Sequence, residues 1–153
     1  MASIAAIAPA EASARSGAHM GATERAVVRK VNAIRVASGL PRMGTDQRLA
    51  RAADAHSRDM LGADFFDHPS SNGQSAYDRV EAYRPSSLMG ETLAYVQGDG
   101  GPAQQIVDMW MASPPHRATL LTGRLRRVGV ARREGSLFGG RVTVWTADLG
   151  SAR

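Results

Sequence analysis

The chain has 153 residues, 43% hydrophobic and 22% charged, which suits one domain with a real core and is too short for two of ordinary size. No apolar run is long enough to span a bilayer as a helix, and the absence of cysteine excludes both a disulfide framework and thiolate chemistry. The net charge of +5 rests on arginine, Lys30 being the one lysine, so the basic balance reflects composition as much as selection for an acidic partner.

Residues 1–22 are rich in alanine, serine and glycine, contain Pro9 and lack a periodic apolar face, so they read as a disordered lead. Within them an apolar stretch over 4–10 precedes Ala12-Ser13-Ala14, which has the small-x-small form of a signal-peptidase site, although no basic segment comes before it. Gly17-Ala18-His19-Met20 has the look of a cloning remnant instead. Either way, one domain is expected over 23–153.

Thr23 is placed to cap a helix over 23–38, with Val27, Val31 and Ile34 inward and Arg25, Arg29 and Arg35 on other faces, ended by Gly39 and Pro41. A second helix, over 46–61, carries Leu49, Ala53, His56 and Met60 at three- and four-residue spacing. His56 therefore falls on an apolar stripe, and its expected role is structural. Phe65 and Phe66 then anchor an irregular loop rich in Pro, Ser, Asn and Gly, from which His68 hangs. A histidine on an anchored loop is the better functional candidate, because loops place polar groups at clefts.

Ser75 and Asp78 have capping-box spacing for a short helix with Tyr77 and Val80 inward and Pro85 just beyond its end. Residues 90–96 become β-prone, with Glu91 at the strand mouth, and Gly98 to Gly101 turn the chain towards a helix starting at Pro102. That helix carries Ile106, Val107 and Trp110 and must stop near Ser113, since Pro114 and Pro115 lack amide donors and clash with a preceding turn. Ser113 is a suitable N-cap for a second short helix anchored by Leu120 and Leu121, which leaves His116 near its positive end. An imidazole fixed at such a corner can serve as a metal ligand or a proton-transfer group, or simply bond the backbone. Residues 127–132 and 141–149 alternate as two strands joined by a turn containing Gly135, Gly139 and Gly140. Helices first and strands late, without regular alternation, indicate an α+β fold with helices over a small antiparallel sheet.

The ordered segments, Val31-Asn32-Ala33-Ile34-Arg35, Gly39-Leu40-Pro41, His56-Ser57-Arg58-Asp59-Met60, Phe66-Asp67-His68, Gly90-Glu91, Trp110 to Ala118, Val128-Gly129-Val130 and Val144-Trp145-Thr146, resemble the CAP superfamily of cysteine-rich secretory, antigen 5 and pathogenesis-related proteins. The match is to its bacterial SCP-like extracellular branch. The resemblance implies a three-layer α-β-α sandwich, export to the cell envelope, periplasm or exterior, and a cleft formed by two histidines and two acids. His68 and His116 match the histidines and Glu91 the first acid, whereas the second acid position holds Ser113. Thr92 and Thr119 stand where the family usually has asparagine, and Pro115 where it has glycine.

Two imidazoles and a carboxylate are a set that zinc or another divalent cation accepts. The spacing of 23 residues from His68 to Glu91 and 25 from Glu91 to His116 contains no helical ligand motif such as HExxH, so this metal set, His68, Glu91 and His116, is implied by the resemblance alone. Ligand binding is the expected function, the partner being a small molecule, a lipid or a cell-envelope component. A metal-assisted hydrolase, with His116 or the metal activating water and Glu91 taking the proton, is the alternative, and no reaction is assigned. A third class, nucleic-acid binding through Arg124, Arg126, Arg127, Arg132 and Arg133, is disfavoured because these arginines straddle a strand of inward valines and no recognition motif accompanies them.

Overall fold

A computed structural model describes residues 19–152. The chain runs α1 (Ala22–Ala37), β1 (Gly44–Thr45), α2 (Gln47–Gly62), α3 (Ala76–Tyr83), β2 (Met89–Gln97), α4 (Ala103–Ala112), α5 (Pro114–Leu120), β3 (Leu125–Leu137) and β4 (Gly140–Ser151). The sheet order is β1-β3-β4-β2. β4 pairs antiparallel with both β2 and β3, as the α+β reading expects, while the two-residue β1 lies parallel to β3 and makes the sheet mixed.

Alternation along β4 sorts the two covering layers. Trp145, Ala147 and Leu149 join the valines of α1, Ile106, Val107 and Trp110 of α4 and Leu120 of α5 in one core. Val142 and Val144, on the opposite face, pack with Met60 of α2, Leu93 and Leu137. β4 is therefore buried on both faces, and the three layers α1/α4/α5, sheet and α2/α3 form the sandwich. The tightest approach is at Gly129, where an added Cβ would lie 1.9 Å from the amide nitrogen of Ala50. Only a residue without a side chain lets α2 rest on β3 there.

Several elements differ from their sequence reading. Of the lead assigned to 1–22, residues 1–18 lie outside the described residues; Met20 is buried, with its Sδ accepting the Val130 amide at 3.4 Å, and Ala22 opens α1. The cap of α1 is Gly21, not Thr23, and makes no side-chain bond. Arg35 does not face solvent. It is fully buried, donating from Nε to the Pro41 carbonyl at 3.0 Å, from Nη1 to Leu120 at 2.6 Å and Thr122 at 3.1 Å, and from Nη2 to Leu125 at 3.0 Å. Three of these carbonyls belong to the end of α5 and the turn into β3, and that of Pro41 to the link between α1 and β1, so one guanidinium ties the two segments together. Tyr77 is exposed rather than inward; Arg79 joins Val80 in facing the interior. Gly135 lies within β3, and the hairpin turn is Phe138-Gly139, both at positive φ. Of the arginine cluster, Arg133 pairs with the buried Asp54 and Arg132 with Glu134, which leaves a solvated sheet edge.

Candidate functional site

Glu91 is the third residue of β2 and faces α2, in register with Asp148 of β4. Its side chain is only 2% exposed. His68 comes to it from the loop after α2, where Phe65 and Phe66 pack against Met60 and Leu93 and where His56 holds the Asp67 carbonyl through Nε2 at 2.8 Å. The bond to a carbonyl makes Nε2 of His56 the protonated nitrogen. His68 Nδ1 meets Glu91 Oε1 at 2.7 Å. The other oxygen, Oε2, accepts from Arg79 Nη2, and Nη1 of the same guanidinium donates to the His68 carbonyl at 3.1 Å and to Ser70 Oγ at 2.8 Å. Arg79 is aimed by α3, whose Ser75–Asp78 capping box forms as its spacing predicts.

The electrostatics follow from these contacts. The hydrogen bond to Glu91 raises the pKa of His68 above its ordinary value despite partial burial. Burial works to raise Glu91, but the bond from His68 and the charge of Arg79 outweigh it and hold the carboxyl below its usual range. Asp148, fully buried alongside, is driven the other way, well above the usual carboxylate range, first by burial and then by the charge of Glu91. Burial lowers His56, and burial followed by the charge of His68 lowers His116.

His116 reaches the site from the opposite layer. Pro114 and Pro115 occupy the first two positions of α5, so the corner forms as read, although Ser113 takes the N-cap place without a side-chain hydrogen bond. The indole of Trp110 donates to the Leu93 carbonyl at 3.0 Å and pins α4 to β2. At Gly90 an added Cβ would lie 2.6 Å from Thr119 Cγ2, which brings α5 against the same strand. The result is a cleft of about 430 Å³ along the edge of β2, lined by Phe66, Leu93, Tyr95, Met109, Ser113 and His116 among others. Its walls are mainly apolar. His68 and Glu91 stand at the α2 side of the same strand, and His116 and Ser113 in the cleft wall.

The ligand set expected from the sequence takes a different form. Both Glu91 oxygens are engaged by His68 and Arg79, and among the described residues no group of three or more His, Cys, Asp or Glu is arranged to hold a metal ion. A Glu91-bonded Nδ1–H leaves Nε2 of His68 as the nitrogen with a lone pair. His116, its pKa lowered, is the second imidazole, held in the cleft wall. Sequence reasoning missed Arg79 and Asp148. Asp148 left a signal, being a carboxylate in a strand otherwise apolar or hydroxylic on the face of Val144 and Thr146. Arg79 left none, since one arginine on a short helix is indistinguishable from a surface charge.

The model of the cysteine-rich secretory protein family, CAP, matches residues 28–149. The uncharacterized protein YkwD of Bacillus subtilis is 30% identical over 131 residues, covering 85% of this chain and 48% of its own length, so the chain spans about half of that relative. An extracellular protein containing a SCP domain from Bacillus anthracis superposes with TM-score 0.70 at 24% identity, over 85% of this chain and 40% of that one. An outer surface protein of Borrelia burgdorferi gives TM-score 0.69 at 19% identity, over 84% and 92%.

Proposed function

This chain belongs to the cysteine-rich secretory protein (CAP) family, and from that premise we propose that it is an exported ligand-binding domain whose cleft beside β2 combines an apolar wall with a two-imidazole cation site. The observation that carries this reading is the His68–Glu91 pair at 2.7 Å, locked by the buried Arg79. A carboxylate that holds one ring nitrogen fixes the tautomer and aims the other, which is how metal-binding imidazoles are oriented. His68 and His116 would hold the cation, zinc or another divalent ion, and the cation would supply a Lewis acid to a polar group of the bound molecule. Glu91 acts through His68 and does not serve as the free base a hydrolase would need, since its oxygens are occupied. The apolar lining of Phe66, Leu93, Tyr95 and Met109 suits a lipid or another small amphiphile. Export is supported by the extracellular and outer-surface relatives. Among the described residues no helix is long and apolar enough to cross a membrane.

Thermal unfolding with zinc tests the site. A ligand bound only by the folded state raises the melting temperature, by about 2.7 kcal/mol of stability at a hundredfold excess over Kd. Protons compete for His68 more strongly than for an ordinary imidazole, so the zinc response should be clear at about pH 7.5 and nearly absent at about pH 5.5. His68→Ala with His116→Ala should remove it, and Ser113→Glu should enlarge it. An equal response in wild type and the double variant would refute the cation site and leave an apolar binding cleft.

A further inference from the structure

Residues 109–133 contain six arginines and no aspartate or glutamate. Arg132 and Arg133 are spent on Glu134 and Asp54. Arg124, Arg126 and Arg127 are exposed and, like the exposed Arg42 in the link before β1, form no ion pair among the described residues. The fold brings these four together. Arg35 holds the carbonyls of Pro41 and Leu125, so Arg42, next to the first, and Arg124 and Arg126, on either side of the second, surround one guanidinium. Arg127 is the register partner of Gly44, where an added Cβ would lie 2.6 Å from Arg127 Nη1. A regular strand would send Arg126 and Arg127 to opposite faces. The pairing of β3 with β4 slips between Leu125 and Arg127, and at this bulge both side chains reach solvent. Asp46, the one acid in the segment that carries Arg42 and β1, is taken by Arg48 and Arg84. Burial and then the charge of Arg126 lower the pKa of Arg35, so the fold holds like charges side by side.

We propose that Arg42, Arg124, Arg126 and Arg127 form a docking surface for an anionic phospholipid bilayer, their guanidiniums meeting lipid phosphates at the level of the headgroups. The inference goes beyond the cleft reading and does not depend on it. A guanidinium stays charged at every physiological pH and takes phosphate oxygens in pairs, and a surface of many phosphates lets arginines from three segments engage at once. Nucleic acid, the other common polyanion, fits less well. Residues 40–45 and 117–127 hold no aromatic ring on which a base could stack. The four arginines stand on a link, a turn and a strand start, not on a helix that could enter a groove. An apolar spot lies among them: Leu40 Cδ2 is 3.5 Å from the place of a Cβ on Gly123, Pro41 is exposed beside it, and Val36 at the end of α1 is 47% exposed. Apolar groups within a basic patch suit the boundary between headgroups and acyl chains.

The test is sedimentation of the full chain with lipid vesicles, comparing phosphatidylglycerol mixed equally with phosphatidylcholine against phosphatidylcholine alone. The expected result is binding to the mixed vesicles only, lost as NaCl is raised from about 0.05 M to about 0.5 M and screening shortens the reach of the charges. Each arginine near an anionic surface contributes roughly a fivefold factor, so Arg124→Gln with Arg126→Gln should weaken binding about twentyfold or more, and Arg42→Gln, on a different segment, about fivefold. Arg29→Gln with Arg141→Gln removes the same two charges elsewhere and should weaken it about threefold or less. None of these residues lines the β2 cleft, so the zinc response is unchanged in all of them, and failure here leaves the cleft reading standing. Absence of binding to the mixed vesicles overturns the proposal, as does binding to the neutral ones or binding that survives the high salt. Equal losses in the two double variants overturn it too, because net charge alone would then explain the attraction. Tighter binding to duplex DNA than to the mixed vesicles at the same salt overturns it in favour of a nucleic acid.

Discussion

At Glu91 the two carboxylate oxygens go to different partners, and each partner can be tested by itself. His68 holds Oε1 at 2.7 Å, and its pKa is raised chiefly by that bond. A raised folded-state pKa means that the stabilising contribution of protonated His68 is complete below about pH 6.5 and is lost as the pH climbs through the folded value. NMR titration of the ring protons should therefore place His68 above, and His116 below, the ordinary histidine value, and Glu91→Gln should bring His68 down. An unmoved His68 in that variant would show that the pair does not form. Arg79 and Glu91 are 6% and 2% exposed at the side chain, so removing one partner strands a buried charge. Arg79→Ala should cost about 3–5 kcal/mol in urea unfolding, far more than loss of a surface ion pair.

Among the elements, α5 depends on a residue from α1. Arg35 donates to the carbonyls of positions 41, 120, 122 and 125 and has no carboxylate partner among the described residues, so its role is to tie the end of α5 to the segment after α1. Arg35→Met should strip those carbonyls of the guanidinium, leaving Thr122 only the Leu125 amide, and cost about 3 kcal/mol or more, and Arg35→Lys should recover little, because an ammonium cannot reach in several fixed directions at once. Since α5 carries His116, the same variant should also weaken the zinc response. A second dependence is at Gly129, where α2 sits on β3. The atoms that a new Cβ would strike are backbone atoms of Leu49 and Ala50 and cannot rotate away. Gly129→Ala should thus cost about 3 kcal/mol, a drop on the order of 10 °C in melting temperature, measurable by scanning calorimetry.

For the molecule as a whole, the buried titratable groups predict an asymmetric pH profile. His56 and His116 have lowered folded-state pKa values, so the unfolded chain binds more protons and stability falls as the pH drops from about 6.5 through their folded values. Glu91, also lowered, adds a loss at more acidic pH, below the ordinary carboxylate range. His68 and Asp148, both raised, oppose this trend from the protonated side. His56, fully buried, contributes its falling limb between about pH 7 and pH 5, where the raised Asp148 pulls the other way. Urea midpoints measured across that interval should fall less steeply for His56→Gln than for wild type, whatever the difference at pH 7. Parallel slopes would mean that His56 is not neutral in the folded chain.

Much of this was legible in the chain because it depends on local chemistry. The helix stop at Ser113, the prolines opening α5, the capping box at Ser75 and the apolar stripe of α2 each arise from residues a few positions apart, so spacing alone determined them. The same holds for the structural setting of His56 and for the late hairpin. What only the tertiary structure decided is where long polar side chains end. Arg35 and Arg79 look like solvent-facing helix residues by periodicity, yet their guanidiniums reach partners 85 and 12 residues away, in an interior where those groups would otherwise go unpaired. Glu91 was a ligand by resemblance alone, and the packing of α3 gave one of its oxygens to Arg79. No spacing rule encodes that choice, since it is made by the distance between two elements rather than by the order of residues within one.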